Sequence, residues 1–356
     1  MSFPFLQPYA GLSNSLQTAQ AAGGPSVGGW VEVGRTTLGS NGQTIDITSI
    51  PDKRYYMVLF NVHFTGAGTG GGFRLNNDSG SNYAWRYNQN GQYEQTFGTN
   101  QSNGIHFLGG HSGKPEFYVS YISNLANKEK LCIMHRLYKG DGGATSNPFR
   151  HELVGKWTNT SNAINQMTGY QGGSDNFTAG DEIIVLGWDQ ADEHTSNFWE
   201  ELASVDLSGG SADQISSGTL SAKKYVWMQL YIEPTGAANI NMTFNNDTST
   251  NYVKRNSNDG GADGTTTSAS SLSMQTTATS APSFHNLFML NNTSNEKLII
   301  HHAVAQNTAG ASTAPQRKEQ VMKWVNTTNQ ITEIDIDNTD TGSYDTKTIL
   351  KVWGAD

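Results

Sequence analysis

The sequence predicts an all-β protein: two tandem, homologous, jelly-roll-like β-sandwich domains behind an extended N-terminal arm. Three observations carry that expectation. The first is a repeat: Leu75-Asn76-Asn77-Asp78, Asn82-Tyr83 and Arg86 return as Phe244-Asn245-Asn246-Asp247, Asn251-Tyr252 and Arg255, a spacing of 169 (245 − 76). Further on, Pro148, Arg150, Glu152, Lys156-Trp157 and Asn159-Thr160 return as Pro315, Arg317, Glu319, Lys323-Trp324 and Asn326-Thr327, a spacing of 167 (324 − 157). A period this long marks duplicated domains rather than a solenoid. The second is composition. With 35% hydrophobic residues, 15% charged and 39 glycines in 356, the balance goes to Asn, Ser, Thr and Gln, which suits many short strands joined by turns. The 8 Trp, 14 Tyr and 14 Phe supply core material that a disordered chain lacks. Third, alternating apolar runs recur at short intervals, and no segment sustains an amphipathic helical period over three turns.

Residues 1–29 have no counterpart ahead of the second copy. Pro4, Pro8 and Gly11 break them early, a short helix fits 12–22, and Gly23-Gly24-Pro25 follows. The segment reads as a frayed terminus or as an arm that reaches a neighbouring subunit. Domain one is expected over 30–189, a polar linker over 190–198 and domain two over 199–356. In the first copy, strands are expected at 30–37, 44–47, 55–64, 117–122, 130–138, 153–158 and 182–188, all rich in β-branched and aromatic residues. Tyr56, Val58, Phe60, Val62 and Phe64 alternate onto one face. In the second copy 298–300 and 350–353 read the same way, and turn signals stand at 68–72, 88–91, 140–143 and 259–264. Short strands with long polar loops predict a sandwich, and the jelly roll accommodates long connections between its two sheets.

The Asn-Asn-Asp block ends one strand and precedes the next. Asn76, Asn77, Asp78 and Asn82, with Asn245, Asn246, Asp247 and Asn251, are expected to build a tight connection through side-chain bonds to nearby amides. Oxygen ligands at Asn76, Asp78 and Asn82 would also suit Ca²⁺, but the EF-hand glycine and terminal glutamate are missing, so no cofactor is expected. Arg86 and Arg255 are placed to pair with the block's aspartate, and Trp30, Trp157, Trp199 and Trp324 are assigned to the structural core. Glu129-Lys130 and Glu296-Lys297 open apolar strands and are expected to be solvated. His301 and His302 are adjacent and point to opposite faces of a strand, while His106, His111, His135 and His151 read as scattered, without histidine counterparts. No metal site is expected. Gly-x-Ser-x-Gly, His-Glu-x-x-His, phosphate-loop and Rossmann patterns are missing, and Asp181-Glu182 and Glu200-Glu201 are neighbours rather than a facing pair, so no enzyme is expected.

A net charge of −9 without any Lys/Arg run argues against nucleic-acid binding. Cys132 is alone, so neither an intrachain disulfide nor a thiolate metal cage is expected. The first residues lack a signal peptide's basic and apolar regions, and no stretch of roughly 18 apolar residues suggests a membrane span. Synthesis in a host cytoplasm with an exterior-type surface fits a particle assembled inside a cell and released by lysis.

The Asn-Asn-Asp-x-x-x-Asn-Tyr-x-x-Arg block, the Glu-Lys-Leu strand, the Lys-Trp-x-Asn-Thr strand-turn and the closing strand at 349–354 resemble β-rich virion proteins of marine viruses, especially tailed phages. The resemblance covers 30–356, and the tandem architecture is similar to that of double-jelly-roll capsid proteins. It implies a non-enzymatic virion structural protein: a capsid shell or decoration subunit, or a tail component. Its partners would be itself, preferably as a homotrimer, and other virion proteins. The alternative is a tandem lectin-like module for host glycans or a receptor, with Trp85 and Tyr87 stacking on sugar faces. A polysaccharide lyase or glycosidase on a β scaffold is a third class, without motif support.

Overall fold

The computed structural model describes residues 26–27, 29–66, 71–92, 95–101, 103–106, 113–189, 192–194, 197–275, 280–306 and 310–356, and no helix occurs among them. The first half begins with β1 (Val31–Thr37), β2 (Thr44–Thr48), β3 (Tyr55–His63), β4 (Gly72–Leu75), β5 (Tyr83–Gln89) and β6 (Gln95–Gln101). It continues with β7 (Ile105–His106), β8 (Pro115–Ser123), β9 (Lys130–Tyr138), β10 (Phe149–Trp157), β11 (Gln166–Tyr170) and β12 (Glu182–Trp188). The second half opens with β13 (Glu200–Asp206), β14 (Gln214–Ser216), β15 (Tyr225–Ile232), β16 (Asn241–Phe244), β17 (Tyr252–Asn258) and β18 (Gly264–Ala269). It closes with β19 (Leu272–Ser273), β20 (Ser283–Leu290), β21 (Lys297–Ala305), β22 (Gln316–Trp324), β23 (Ile334–Asp337) and β24 (Ile349–Ala355).

Each half is an eight-stranded antiparallel sheet over a four-stranded one. The first orders are β1-β12-β3-β8-β9-β10-β5-β6 and β2-β11-β4-β7. The second are β13-β24-β15-β20-β21-β22-β17-β18 and β14-β23-β16-β19, the same arrangement strand for strand. Without the hairpins β5–β6 and β9–β10, the first half is β1-β12-β3-β8 against β2-β11-β4-β7, the eight strands of a jelly roll. The hairpins widen one sheet only. Even the irregularities are copied: β1/β12 and β13/β24 each carry a register shift, at Val185/Leu186 and at Glu201/Ala203. Asn90-Gly91 and Asp259-Gly260, all with positive φ, turn β5 into β6 and β17 into β18, where a side chain other than Asn or Asp would be strained.

The apolar pattern dictates the layers. Tyr56, Val58, Phe60 and Val62 of β3 join Ile45, Ile47, Phe73, Leu75 and Met167 of the small sheet in the first core. Met228, Leu230 and Ile232 of β15 do the same with Met242, Phe244, Ile334 and Ile336 in the second. The opposite face of β3 is apolar too, and Met57 and Leu59 belong to a third cluster shared by both halves. Strands buried on both faces read as continuous apolar runs, as Tyr55-Tyr-Met-Val-Leu-Phe does. Of the N-terminal arm, Ser26–Val27 pairs with Glu193–His194, Gly29 leads into the first strand, and residues 1–25 and 28 lie outside the described residues.

Candidate functional site

The Asn-Asn-Asp blocks are clamps, built alike in both halves. Asn76, Asn77, Asn245 and Asn246 take positive φ, which only Gly, Asn and Asp adopt readily. Asn76 donates from Nδ2 to the Ala163 carbonyl and accepts from the Asn165 and Gln166 amides at 2.8 and 3.2 Å. Asn245 repeats this with Gln330, Thr332 and Glu333. Asp78 accepts from the Gly80 amide, Asn82 Nδ2 and the Trp157 indole N–H, the last at 2.7 Å; Asp247 accepts from Ser249, Asn251 and Trp324, again 2.7 Å. These oxygens face protein donors rather than converging on a cation. Against burial, those bonds hold both carboxyls below the usual range. Replacing Asp247 by Ala should cost about 1–3 kcal/mol, because a buried indole N–H loses its acceptor. A urea melt reads it, and a loss under a few tenths would show the clamp to be incidental.

Three expectations need correction. Trp157 and Trp324 fill the sandwich cores and Trp199 is buried in the third cluster, so only Trp30, partly buried on the same outer face, departs from the core assignment. Its position before the first strand places it at the sheet edge. Arg255 turns from Asp247, whose oxygens are already used, and donates from Nε to the Pro148 carbonyl of the first half at 2.8 Å; Arg86 is exposed. Lys130, Glu296 and Lys297 are buried, not solvated. Lys130 Nζ donates to the Leu125 and Lys128 carbonyls, Lys297 Nζ to those of Asn295 and Asn326, and Glu296 lies 3.1 Å from Lys323.

The halves meet through the outer faces of their large sheets. Met57, Leu59, Phe117, Val119, Leu137, Ile184 and Leu186 form one cluster with Tyr225, Phe288, Leu290, Leu298, Ile300 and Val321. Beside it lies a charged node. Arg150 reaches Glu152 Oε1 at 2.6 Å, Asp263 Oδ1 at 2.7 Å and Glu319 Oε2 at 3.2 Å. His135 and His302 pack beside it, their rings tilted by 57° with centroids 4.1 Å apart. The spacing of 167 that relates Glu152 to Glu319 also relates His135 to His302 (302 − 135), so the two are counterparts, contrary to the sequence reading. That spacing was the signal that could have found the node. His135, Glu152 and His302 bring three ligand-type atoms within 4.8 Å of one another. Yet the oxygen that His302 approaches at 3.8 Å is the one Arg150 already holds. A guanidinium there opposes a metal cation. Burial pushes His135 down to about 3. Against burial, bonds from His302 and Arg150 bring Glu152 to about 2.

Inside each sandwich the polar clusters differ, and only Glu116/Ser283 and Tyr118/His285 occupy matching positions. In the first, Arg136 pairs with Glu116 at 2.7 Å and reaches His151 Nδ1 at 2.7 Å, while the Tyr118 hydroxyl donates to Glu116. In the second, Ser283, His285, His301 and Gln320 form a relay at 2.9, 3.0 and 2.8 Å. Gln320 Nε2 donates to the Ser273 carbonyl, so its Oε1 accepts from His301 Nδ1, His301 Nε2 from His285 Nδ1, and His285 Nε2 from the Ser283 hydroxyl. The pattern imitates a nucleophile and its base; both histidines are buried in the core, while Ser283, itself almost wholly buried, also lines the hollow on the second half.

Two apolar patches remain open. A groove of about 400 Å³ on the first half is lined by Trp30, Tyr55, Tyr121, Leu131, Ile133 and Trp188, with Val154 exposed on the neighbouring strand. On the second half, a hollow of about 450 Å³ has a mixed lining, with Phe284, Val304 and Tyr231 beside Ser283, Gln306 and Thr313 and with Gly310 at its edge. Trp85 and Tyr87 are buried in the first core, away from both. Among the described residues no helix is long and apolar enough to cross a membrane.

No protein-family model and no curated protein matches the chain. Among solved structures it is similar to domains LG4-5 of the mouse laminin alpha1 chain, at 10% identity over 91% of this chain and 89% of that one, with a TM-score of 0.19. A second is the LG1-3 region of the laminin alpha2 chain, at 9% identity, 88% and 64% coverage and a TM-score of 0.20. Likeness at this level bears on neither family nor function.

Proposed function

We propose that the chain is a structural subunit of a virus particle, a capsid shell, decoration or tail component that works by association rather than catalysis. The observation that carries this reading is the pair of exposed apolar patches on the outer faces of the two large sheets. Apolar surface on a rigid β scaffold costs solubility unless something docks there. Several side chains with chemistry to offer are engaged elsewhere: Asp78 and Asp247 in clamps, His285 and His301 in a buried relay, Arg150 in the seam. Duplication doubles the contact surfaces per chain and favours pseudo-symmetric assembly, with a homotrimer the preferred form. Trp85 and Tyr87 lie too deep to stack on a sugar. The open groove is mostly apolar, and two of its hydroxyls are already engaged, Ser123 accepting from the Leu131 amide and Tyr56 donating to the Pro51 carbonyl, where a saccharide needs several polar partners.

Mass spectrometry of gradient-purified particles from infected cells is expected to find the chain in many copies per particle. Particles that lack it, together with glycan-array binding or polysaccharide turnover by the purified chain, would replace this reading.

A further inference from the structure

The duplication itself says what covers the open patches. Strand registers pair Lys130 with Trp157 and Lys297 with Trp324, and Cys132 with Ile122 and Ile299 with Met289, so positions in β8–β10 and β20–β22 correspond at a spacing of 167. Leu131, Ile133 and Val154 are 57%, 50% and 50% exposed; their counterparts Leu298, Ile300 and Val321 are 0%, 3% and 2% exposed. What covers that face in the second half is the first half, through Phe117, Leu137, Met57 and Leu59. The converse holds for the other patch. Phe117 and Leu137 are buried by the second half, while their counterparts Phe284 and Val304 are exposed. Ile349, the remaining large exposed apolar side chain among the described residues, matches Glu182, which is buried against Tyr225.

The contact within the chain therefore joins unlike patches, and it leaves one of each uncovered. A contact of this kind is heterologous: it does not close on two halves but can repeat. We infer that a second copy of this chain docks head to tail, its Phe284–Val304 patch seating on the Leu131–Ile133–Val154 patch of the first, repeating the seam already present inside each chain.

The fringes agree. Inside the chain the Glu296–Lys323 pair is capped by the Gly143 amide and the Asp141 carbonyl of the other half. Its counterpart, the Glu129–Lys156 pair at 2.7 Å, lies at the first half's surface. Gly310, the counterpart of Gly143, holds the same left-handed backbone (φ 91 against 85) at the edge of the Phe284–Val304 patch. Polarity changes in matched pairs: Asn61 meets Asn292 in the seam, and the corresponding open positions are Tyr231 and Leu125. Tyr225 meets Glu182 in the seam, and the corresponding open positions are Tyr55 and Ile349.

This inference rests on the assembly role proposed above, and sedimentation velocity of two surface variants tests it separately. The full-length chain should show species larger than its 38.6 kDa monomer as concentration rises. Ile133→Asp and Val304→Asp each spoil one patch, so each alone should sediment as a monomer. Their equimolar mixture should form a dimer of about twice the monomer mass and nothing larger, since one intact pair of unlike patches remains. That dimer also shows that both variants fold. A wild-type chain that stays monomeric, or either variant dimerising alone through like patches, overturns head-to-tail docking. Particles containing the chain while the mixture stays monomeric would remove this contact and keep the particle role. A dimer from the mixture with a chain missing from particles would do the reverse.

Discussion

Replacing Arg150 by Met is expected to destabilise the chain by about 3–5 kcal/mol, the usual cost of removing one partner from a buried ion cluster. One guanidinium of the first half holds two carboxylates of the second, Asp263 and Glu319, besides its own neighbour Glu152. Arg150 and Asp263 are almost fully buried, so solvent screens that pair little. What remains is poorly placed: Arg255 lies 3.9 Å from Asp263, and Arg317 3.3 Å from Glu319 but more than half exposed. Burial and the Glu152 charge already raise the Glu319 pKa, so this corner is crowded with negative charge before Arg150 is removed. Arg150→Lys should lose a large part of the same energy, since an ammonium cannot span three carboxylates as the planar fork does. Removing Asp263 together with Arg150, as Arg150→Met with Asp263→Leu, should recover much of it. Guanidinium melts followed by tryptophan fluorescence measure the loss and show whether the halves now unfold in two steps. A penalty under about 1 kcal/mol would mean that the apolar cluster alone holds the seam, as exposed pairs contribute no more than that.

That seam marks where sequence reasoning stopped. Local chemistry was legible. The Asn-Asn-Asp turns, the Asn90-Gly91 hairpin and the buried Trp157 and Trp324 follow from residues close in sequence or on one strand. The jelly-roll class followed from strand density and long loops. Strands with weak alternation were missed: β11 reads Gln-Met-Thr-Gly-Tyr, and β6 Gln-Thr-Phe-Gly-Thr-Asn-Gln, both rich in residues that also build loops. The partner of an outer face was not legible, because a period of two says which side chains leave the core but not what meets them. Leu131 and Leu298 occupy the same position in the same repeat, one exposed and one buried. The buried Lys130 and Lys297 were misjudged as well. Their ammonium groups fold back onto carbonyls of the turn just before the strand, Leu125 and Lys128 for Lys130 and Asn295 for Lys297, with Asn326 added from a distant loop.

Acidification should remove most of the stability between about pH 6.5 and pH 3, with the second half giving way first. Burial pushes His135 and His285 down to about 3, and burial with the His285 charge takes His301 well below its ordinary 6.5. The unfolded chain takes up protons below pH 6.5 that the folded chain refuses. It therefore binds more protons, and stability falls as pH drops until the folded pKa is reached. At pH 4.5, two units below the ordinary value, each such histidine costs about 2–3 kcal/mol. Three together rival the roughly 5–15 kcal/mol that holds a typical domain folded. Asp181 works the other way: burial raises it to about 7, so the folded state keeps a proton that the unfolded state releases down to about pH 4. That offsets about one histidine, not three. The relay also explains why the second half should yield first, since a proton on His285 or His301 would set donor against donor at 3.0 Å. The measurement is the urea midpoint at pH 7, 5.5 and 4.5, for the wild-type chain and for His285→Gln with His301→Gln. Glutamine keeps a donor and an acceptor but cannot take the proton, so the double variant should lose nearly all of the net pH slope, the remaining His135 and Asp181 contributions roughly cancelling. An unchanged slope would move the acid sensitivity out of the relay and into the carboxylates of the seam.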